Sequence, residues 1–302
     1  MADSINITLG DLKVRNVNGL APSDFPVMTV DQWSHTFTMP TADLARGFGR
    51  TEFAISSEET RYYLNGVYMH HMPVNGSRGT LRFVATDGHR LAACDMDSPE
   101  GATSKAVECP YTGDVMIEHS PMPGVIVPRK AVHELLRLVE AKGAPVTVDI
   151  RVNGTKIEFV IGGVTLLSKA IDGTFPDYQR TIPDGNDKRL VINAEAMADA
   201  IKQVSVMSSE RGRVVKLSLE RDALRLSVSN PDAGMAEISV DADYGSDPFD
   251  IGFNSGYMLD ILDQCESETV EFMLADAGSP TLIRGTDDGD KGLRYVLMPL
   301  RV

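Results

Sequence analysis

The sequence predicts an α+β fold built from two similar units, and three observations support that prediction. Apolar and polar residues alternate along many short segments, as in half-buried strands. Four longer segments carry a single apolar stripe at helical spacing, as expected of helices that pack on a sheet. The tripeptide Ser-Ser-Glu follows the first helix of each half, in register with the helix order, which indicates an internal repeat.

The order of the elements divides the chain into three parts. Segments 5–9 and 12–17, on either side of a Gly10-Asp11 turn, predict one hairpin within residues 1–27. An isolated hairpin is marginal by itself, so this part is expected either to lean on a partner or to be a remnant. The two copies of the repeat are predicted over residues 28–183 and 184–302.

The first copy is expected to contain two helices and several strands. A helix is predicted over 42–53 with Thr41 as its N-cap, and another over 129–142 after Pro128. Segments 146–152 and 156–161 alternate on either side of Asn153-Gly154, a strong hairpin signal. A polar, proline-rich loop is expected over 98–123.

The second copy follows the same order. Helices are predicted over 194–207 and 255–265, with Asn193 and Asn254 as N-caps. Strands are predicted over 215–219, 224–228 and 270–274.

Composition and charge exclude several classes of protein. The net charge of −14 argues against a phosphate-backbone ligand unless basic residues gather on one face. No basic, apolar leader and no run of about 18 apolar residues are present, so no membrane segment is predicted. Cys94, Cys109 and Cys265 are scattered and are expected to stay reduced, which favours the cytoplasm.

The segment Thr86-Asp-Gly-His-Arg-Leu91 contains the one candidate for acid–base catalysis. Asp87 and His89 could form such a pair, but the chain offers no nucleophile in a recognisable context. The segment is therefore interpreted as an Asp-Gly turn that presents a histidine and an arginine, and no enzymatic activity is predicted. His70 and His71 fall on opposite faces of a strand, so neither a metal nor a cofactor is predicted.

The C-terminal segment from Tyr295 to Val302 is mostly apolar. Its alternation predicts a strand that stops before Pro299, which cannot donate to a ladder. The strand could simply close a core. Alternatively, Met298 and Leu300 could form an adaptable binding surface beside it.

Five segments together resemble the bacterial DNA polymerase III beta sliding clamp family. They occur in the family's order, and the resemblance runs from about residue 12 to Val302: Arg61-Tyr-Tyr-Leu-Asn-Gly66, Val84-Ala-Thr-Asp-Gly-His-Arg-Leu91, Val127-Pro-Arg-Lys130, Asp172-Gly-Thr-Phe-Pro-Asp-Tyr178 and Tyr295-Val-Leu-Met-Pro-Leu-Arg301. The resemblance implies the DNA-clamp fold, a ring of similar domains with helices lining the hole. Such a ring slides on duplex DNA as a processivity factor and tethers DNA polymerase III.

The resemblance also implies a pocket into which partner proteins insert a short hydrophobic peptide. Its residues here would be Arg61, Leu64, Thr86, Gly88, His89, Arg90, Leu91, Pro176, Arg180, Val296, Met298, Pro299, Leu300 and Arg301. Leu300 stands where a second methionine is common in the family. Thr181 stands where an aliphatic residue is usual, and its hydroxyl is expected to alter the peptide preference.

DNA contact is expected to be non-specific, through phosphates. Tyr62, Tyr63, Arg129 and Lys130 match family positions that face DNA, and Arg50 and Lys202 are further basic residues of the predicted helices. The family carries three domains per chain, whereas this sequence begins near the end of the first. Three copies would supply the six domains of a ring, with a clamp loader as a further implied partner. The alternative is a shortened clamp that binds partner peptides without encircling DNA.

Overall fold

The computed structural model describes residues 4–18, 24, 28–30, 32–74, 78–108, 115–208 and 213–302. The chain divides into two compact units, Met1–Gln32 and Trp33–Val302. In the first unit, β1 (Ser4–Leu9) pairs antiparallel with β2 (Leu12–Asn18), and Gly10 has a φ of 57° in the turn between them. The predicted N-terminal hairpin is therefore confirmed.

The unit Trp33–Val302 combines four helices with many short strands in the described part of the chain. The helices are α1 (Thr41–Gly49), α2 (Arg129–Val139), α3 (Ala194–Ser205) and α4 (Ser255–Leu262). The strands before α3 are β3 (His35–Pro40), β4 (Gly66–Met72), β5 (Thr80–Thr86), β6 (Arg90–Asp97), β7 (Ser104–Glu108), β8 (Val115–His119), β9 (Val125–Pro128), β10 (Thr147–Val152), β11 (Lys156–Ile161), β12 (Val164–Lys169) and β13 (Lys188–Asn193). Those after α3 are β14 (Val214–Glu220), β15 (Ala223–Asn230), β16 (Gly234–Asp241), β17 (Asp243–Tyr244), β18 (Phe249–Asn254), β19 (Thr269–Leu274), β20 (Thr281–Gly285) and β21 (Leu293–Leu297).

The described strands of this unit form one long sheet, two smaller sheets of four strands and the two-stranded sheet β7-β8. The long sheet has the order β17-β13-β19-β20-β21-β6-β5-β4-β9, and every pairing in it is antiparallel. The smaller sheets have the orders β12-β11-β10-β3 and β16-β15-β14-β18. Residues 28–183, predicted as the first copy of the repeat, supply β6-β5-β4-β9. Residues 184–302, predicted as the second copy, supply the other five strands of the long sheet. The two copies therefore meet where β6 pairs with β21.

One face of each helix is buried against these sheets. Phe48 of α1 contacts Phe83 of the long sheet at 4.9 Å between ring centroids, and Phe159 of a smaller sheet at 6.1 Å. Gly47 is needed at this contact because a Cβ there would lie 2.7 Å from the Phe83 ring. The apolar stripe of α3, including Met197 and Ile201, is likewise buried. The predicted arrangement of helices packed on antiparallel sheets is confirmed.

Some predicted boundaries were wrong. Thr41 does not cap α1: it is the first helical residue, and its hydroxyl donates to the carbonyl of Pro145 at 2.5 Å. The helix ends at Gly49, and residues Glu52–Ala54 form a separate 3₁₀ turn. The predicted loop 98–123 contains the β7–β8 hairpin. Cys109 lies outside the described residues.

The asparagine caps are confirmed. The Asn193 side chain accepts from the amide of Ala196, and Asn254 accepts from the amides of Gly256 and Tyr257. Each cap satisfies amides that a helix N-terminus leaves without an intrahelical partner.

The linker is the segment 170–187, which joins β12 to β13 and so connects the two copies. A second, smaller hydrophobic cluster packs beneath it. We refer to this cluster as the linker core. Its buried members are Leu64, Val84, Leu91, Ala93, Ile126, Phe175, Tyr178 and Val296. It joins residues of the long sheet to a segment that continues into the 3₁₀ turn Tyr178–Thr181.

Candidate functional site

The tail pocket is a small cavity of about 70 Å³ at the end of the β6–β21 pairing. It is lined by Thr86, Gly88, His89, Arg90, Leu91, Thr181, Val296 and Met298. All of these except Thr181 belong to the set predicted for peptide binding. The cavity is lined mainly by apolar surface, as expected of a site that takes up a hydrophobic side chain.

The turn between β5 and β6 is held by its own side chains. The Thr86 hydroxyl accepts from the amide of Gly88 and donates to the carbonyl of Arg90. Asp87 Oδ1 accepts from the amides of His89 and Arg90 at 2.9 and 3.0 Å. The carboxylate of Asp87 is thus engaged in forming the turn, which supports the turn interpretation over an acid–base pair with His89.

Gly88 allows the close approach of a rim arginine. Its φ is +90°, and a Cβ there would lie 2.6 Å from Nη1 of Arg61. The Arg61 guanidinium is also paired with both oxygens of Glu58, at 2.8 and 2.7 Å. This hydrogen bond lowers the pKa of the Glu58 carboxyl. Arg61 therefore lies at the rim of the tail pocket with Glu58 as its partner.

The charged group of Arg90 lies in the contact between the two copies. Its guanidinium carbon lies 5.0 Å from the centroid of Phe53 and 4.4 Å from that of Tyr257. The guanidinium also pairs with Asp260 at 2.5 Å and with Asp87 at 3.1 Å. These partners satisfy the charge of the Arg90 guanidinium.

The C-terminal tail forms the opposite wall. The amide of Met298 donates to the carbonyl of His89 at 2.9 Å, and the amide of Leu300 donates to that of Gly252 at 2.8 Å. The tail is thereby fixed to both copies after β21 has ended. The Met298 side chain remains 39% exposed, so it is accessible to a ligand. Pro299 follows the strand, as predicted, although β21 is an interior strand of the sheet.

The remaining predicted pocket residues do not line the cavity itself. Leu64 is buried in the linker core, together with Leu91 and Val296. Pro176 and Arg180 are exposed on the linker, and Arg180 pairs with Asp177 at 2.7 Å. Arg301 is exposed at the end of the chain.

Sequence reasoning missed the contribution of helix α4. The ring of Tyr257 stacks on His89 with centroids 6.1 Å apart, and it also carries the Arg90 contact. Tyr257 lies beside the apolar stripe of α4 formed by Met258 and Ile261, so periodicity alone would not select it. Its partners are on the other copy of the repeat.

Four of the six predicted DNA-facing residues lie in connected segments. Tyr62 and Tyr63 are in the 3₁₀ segment Glu59–Leu64, and the amide of Arg129 donates to the carbonyl of Asn65 just beyond it. Arg129 and Lys130 are exposed in the first turn of α2, which contains no acidic residue. A helix N-terminus with basic side chains attracts anions such as phosphate.

Arg50 and Lys202 do not belong to that group. Arg50 donates to the carbonyl of Gln264 at 2.8 Å and pairs with Glu266. The charge of Arg50 is therefore paired within the contact between the two copies. Lys202 lies on α3 and pairs with Asp199 at 3.4 Å.

The described residues offer no metal site: nowhere among them are three or more His, Cys, Asp or Glu side chains grouped to hold a metal ion. Burial raises the pKa of the Cys94 thiol to about 11 and that of Cys265 to about 12, which disfavours the nucleophilic thiolate form. No helix in the described part of the chain is long and apolar enough to cross a membrane.

Comparisons with known proteins agree with this geometry. Residues 38–177 match the model of the DNA polymerase III beta subunit central domain, and residues 179–301 match that of its C-terminal domain. The beta sliding clamp of Caulobacter vibrioides is 46% identical over 288 residues, which cover 95% of this chain and 71% of the relative.

Solved structures agree as well. A Bartonella birtlesii sliding clamp bound to griselimycin is 44% identical, with a TM-score of 0.85, and the match covers 99% of this chain and 74% of that one. The Caulobacter crescentus clamp gives 43% identity and a TM-score of 0.86, covering 99% and 73%.

Sheets backed by paired helices, with a hydrophobic pocket beside the C-terminal strand, define a protein of the DNA-clamp class. The chain belongs to the beta subunit family of bacterial DNA polymerase III, the beta sliding clamps. Proteins of this family are DNA sliding clamps, that is, non-catalytic processivity factors.

Proposed function

We propose that the chain tethers DNA polymerase III and other partners to DNA by binding a short hydrophobic peptide in the tail pocket. The observation that carries this proposal is the apolar cavity between Met298 and the β5–β6 turn. Thr86, Leu91 and Val296 contribute to its walls, and the ion pairs Arg61–Glu58 and Arg180–Asp177 supply polar groups near the rim. A deformable apolar floor with a polar rim suits a peptide anchored by one or two apolar side chains.

The test is binding of a fluorescein-labelled clamp-motif peptide, followed by fluorescence anisotropy. We expect Met298→Ala combined with Arg180→Ala to abolish most of the binding. Lys156→Ala, in the β10–β11 hairpin, is the control and should leave the affinity at the wild-type value. Undiminished binding by the double variant would refute the pocket assignment.

We propose further that Tyr62, Tyr63, Arg129 and Lys130 contact the phosphates of duplex DNA, with a smaller contribution from Lys202. Arg50, predicted from the sequence as a further DNA contact, is left out of this proposal because its guanidinium pairs with Glu266. The exposed basic residues at the start of α2 support the first group. Because the whole chain carries a net charge of −14, the attraction is local and weak, which suits a ring that slides.

For the 302-residue chain as given, we propose a ring of three copies, opened and closed on DNA by a clamp loader. Three copies supply six domains. The outer strands β12 and β16 of the two smaller sheets support head-to-tail pairing, with Val164 and Met235 exposed on them. Such heterologous contacts generate a ring when the rotation closes.

Light scattering separates the ring from a second candidate, a peptide-binding module that does not encircle DNA. The ring requires a trimer mass at micromolar concentration and retention on circular DNA after loading. A monomer that still binds the clamp-motif peptide would favour the module. The tail pocket is lined by residues of a single chain, so peptide binding does not require a ring.

A further inference from the structure

The linker between the two copies contributes Thr181 to the lining of the tail pocket and is anchored by buried residues. Pro176, Arg180 and Thr181 are exposed, whereas Phe175 and Tyr178 are buried in the linker core. The wall formed by this segment therefore depends on contacts made on its opposite side.

On its buried side, the linker is attached to the sheet by hydrogen bonds of the Tyr178 hydroxyl. Its hydroxyl lies 2.8 Å from Nε2 of His70 and 3.4 Å from Nη1 of Arg82. Both partners are nearly fully buried, on β4 and β5 of the long sheet. Arg82 in turn pairs with both oxygens of Asp95, at 2.5 and 2.6 Å.

The hydrogen bonds that connect His70, Tyr178 and Arg82 have a defined direction. Nδ1 of His70 faces the carbonyl of His71 at 3.2 Å, and a carbonyl can only accept, so Nδ1 carries the proton. Nε2 is then the acceptor for the Tyr178 O–H. Arg82 can only donate, so it donates to the Tyr178 oxygen. The Tyr178 hydroxyl therefore donates to His70 and accepts from Arg82, which ties the linker to β4 and β5.

Stacked rings reinforce the same position. The ring of Tyr68 lies 4.5 Å from that of His70 and 4.9 Å from that of Phe175, with both pairs nearly parallel. Asp95 also pairs with Arg294 of β21 at 2.9 Å. The anchor thus reaches the strand of the second copy that leads into the C-terminal wall of the tail pocket.

We propose that His70, Arg82 and Tyr178 are positioning residues for the tail pocket: they hold the linker wall in its binding-competent place without contacting the peptide. The inference rests on the proposed peptide-binding function. If these contacts are lost, the linker adopts the binding-competent position in only a fraction of the free molecules. The apparent affinity for the peptide is then reduced in proportion to that fraction.

The experiment compares variants of the full chain by anisotropy with the fluorescein-labelled clamp-motif peptide. Tyr178→Phe removes one hydroxyl and keeps the ring, and His70→Leu removes its acceptor. We expect each to weaken peptide binding by about fivefold, the effect of losing one net hydrogen bond. Amide hydrogen exchange in the linker should accelerate in both.

Two further variants distinguish a positioning role from a purely structural one. His70→Gln keeps an acceptor for the hydroxyl and should restore most of the affinity. His71→Leu is the matched control, since the His71 side chain bonds Ser98 on the opposite face, and it should bind as the wild type does. A purely structural role would lower the melting temperature yet leave the affinity of the folded protein unchanged.

Wild-type affinity in both Tyr178→Phe and His70→Leu would overturn the inference. The proposed function fails by a different result, namely undiminished binding when Met298 and Arg180 are replaced. The two failures are therefore distinguishable in one set of titrations.

Discussion

The guanidinium carbon of Arg90 lies 4.4 Å from the centroid of the Tyr257 ring, across the boundary between the two copies of the repeat. Arg90 belongs to the turn that lines the tail pocket, and Tyr257 belongs to helix α4. The same ring stacks on His89. One side chain of the second copy therefore supports two consecutive pocket residues of the first.

Tyr257→Ala is expected to weaken clamp-motif peptide binding roughly tenfold, because the substitution removes both the stacking and the cation–π contact. Anisotropy titration with the labelled peptide measures the change. Tyr257→Phe keeps a ring in place and should stay within about twofold of the wild type by the same argument. Equal affinity in the alanine variant and the wild type would show that the β5–β6 turn does not need this support.

Local sequence patterns were sufficient for those parts of the fold that depend on neighbours in sequence. Asn193 and Asn254 were identified as caps because capping needs only the first helical turn, and Asn153-Gly154 marked its hairpin for a similar reason. Thr41 was misassigned since its hydroxyl bonds to Pro145, which is distant in sequence.

In the candidate site, too, contacts between residues distant in sequence could not be predicted from local patterns. Motif resemblance brought the β5–β6 turn and the C-terminal tail together, and the structure places both around one cavity. Tyr257 and His70 were not selected as site residues, because their partners come from other strands and from the linker. Periodicity reports which face of an element is buried, not which polar groups meet there.

Gly88→Ala should lower the free energy of unfolding by about 1–2 kcal/mol and also weaken peptide binding. The φ of +90° at this position is unfavourable for a residue with a Cβ. The added carbon would also displace Arg61 from the rim. Urea unfolding and peptide titration report the two effects separately.

Gly154→Ala is the matched control for that substitution. No heavy atom lies within 4 Å of a Cβ at residue 154, and its φ is not in the left-handed region. Its free energy of unfolding should stay within about 0.5 kcal/mol of the wild type. A Gly88→Ala protein as stable as this control would contradict the strained turn.

His70 should make the stability of the protein depend on pH. Burial lowers its pKa from 6.5 to about 4, while the unfolded chain keeps the ordinary value. Between these two values the unfolded state binds more protons, so stability is complete above pH 6.5 and falls as the pH drops toward 4. The full contribution is roughly 3 kcal/mol.

Urea unfolding of the wild type and of His70→Gln at pH 7 and pH 5 isolates this contribution. Other groups titrate in the same range, but they are common to both proteins and cancel in the difference. We expect the wild type to lose more stability than His70→Gln between the two pH values. Identical losses would mean that His70 titrates normally in the folded protein, although Arg82 and Tyr178 surround it.

Replacing Arg129 and Lys130 together with alanine should weaken binding to duplex DNA of any sequence. Each side chain that neutralises a phosphate contributes up to about 0.9 to the slope of log K against log salt, so the double variant should lose up to about 2. Arg50→Ala is the control, because the Arg50 guanidinium pairs with Glu266 and donates to Gln264. It should lower the free energy of unfolding while leaving the salt slope unchanged. Affinity for a labelled duplex, measured across a salt series, gives both slopes.

The DNA assignment at the start of α2 fails if the double variant keeps the wild-type slope. A slope that falls with Arg50→Ala would instead place a phosphate contact at the boundary between the two copies.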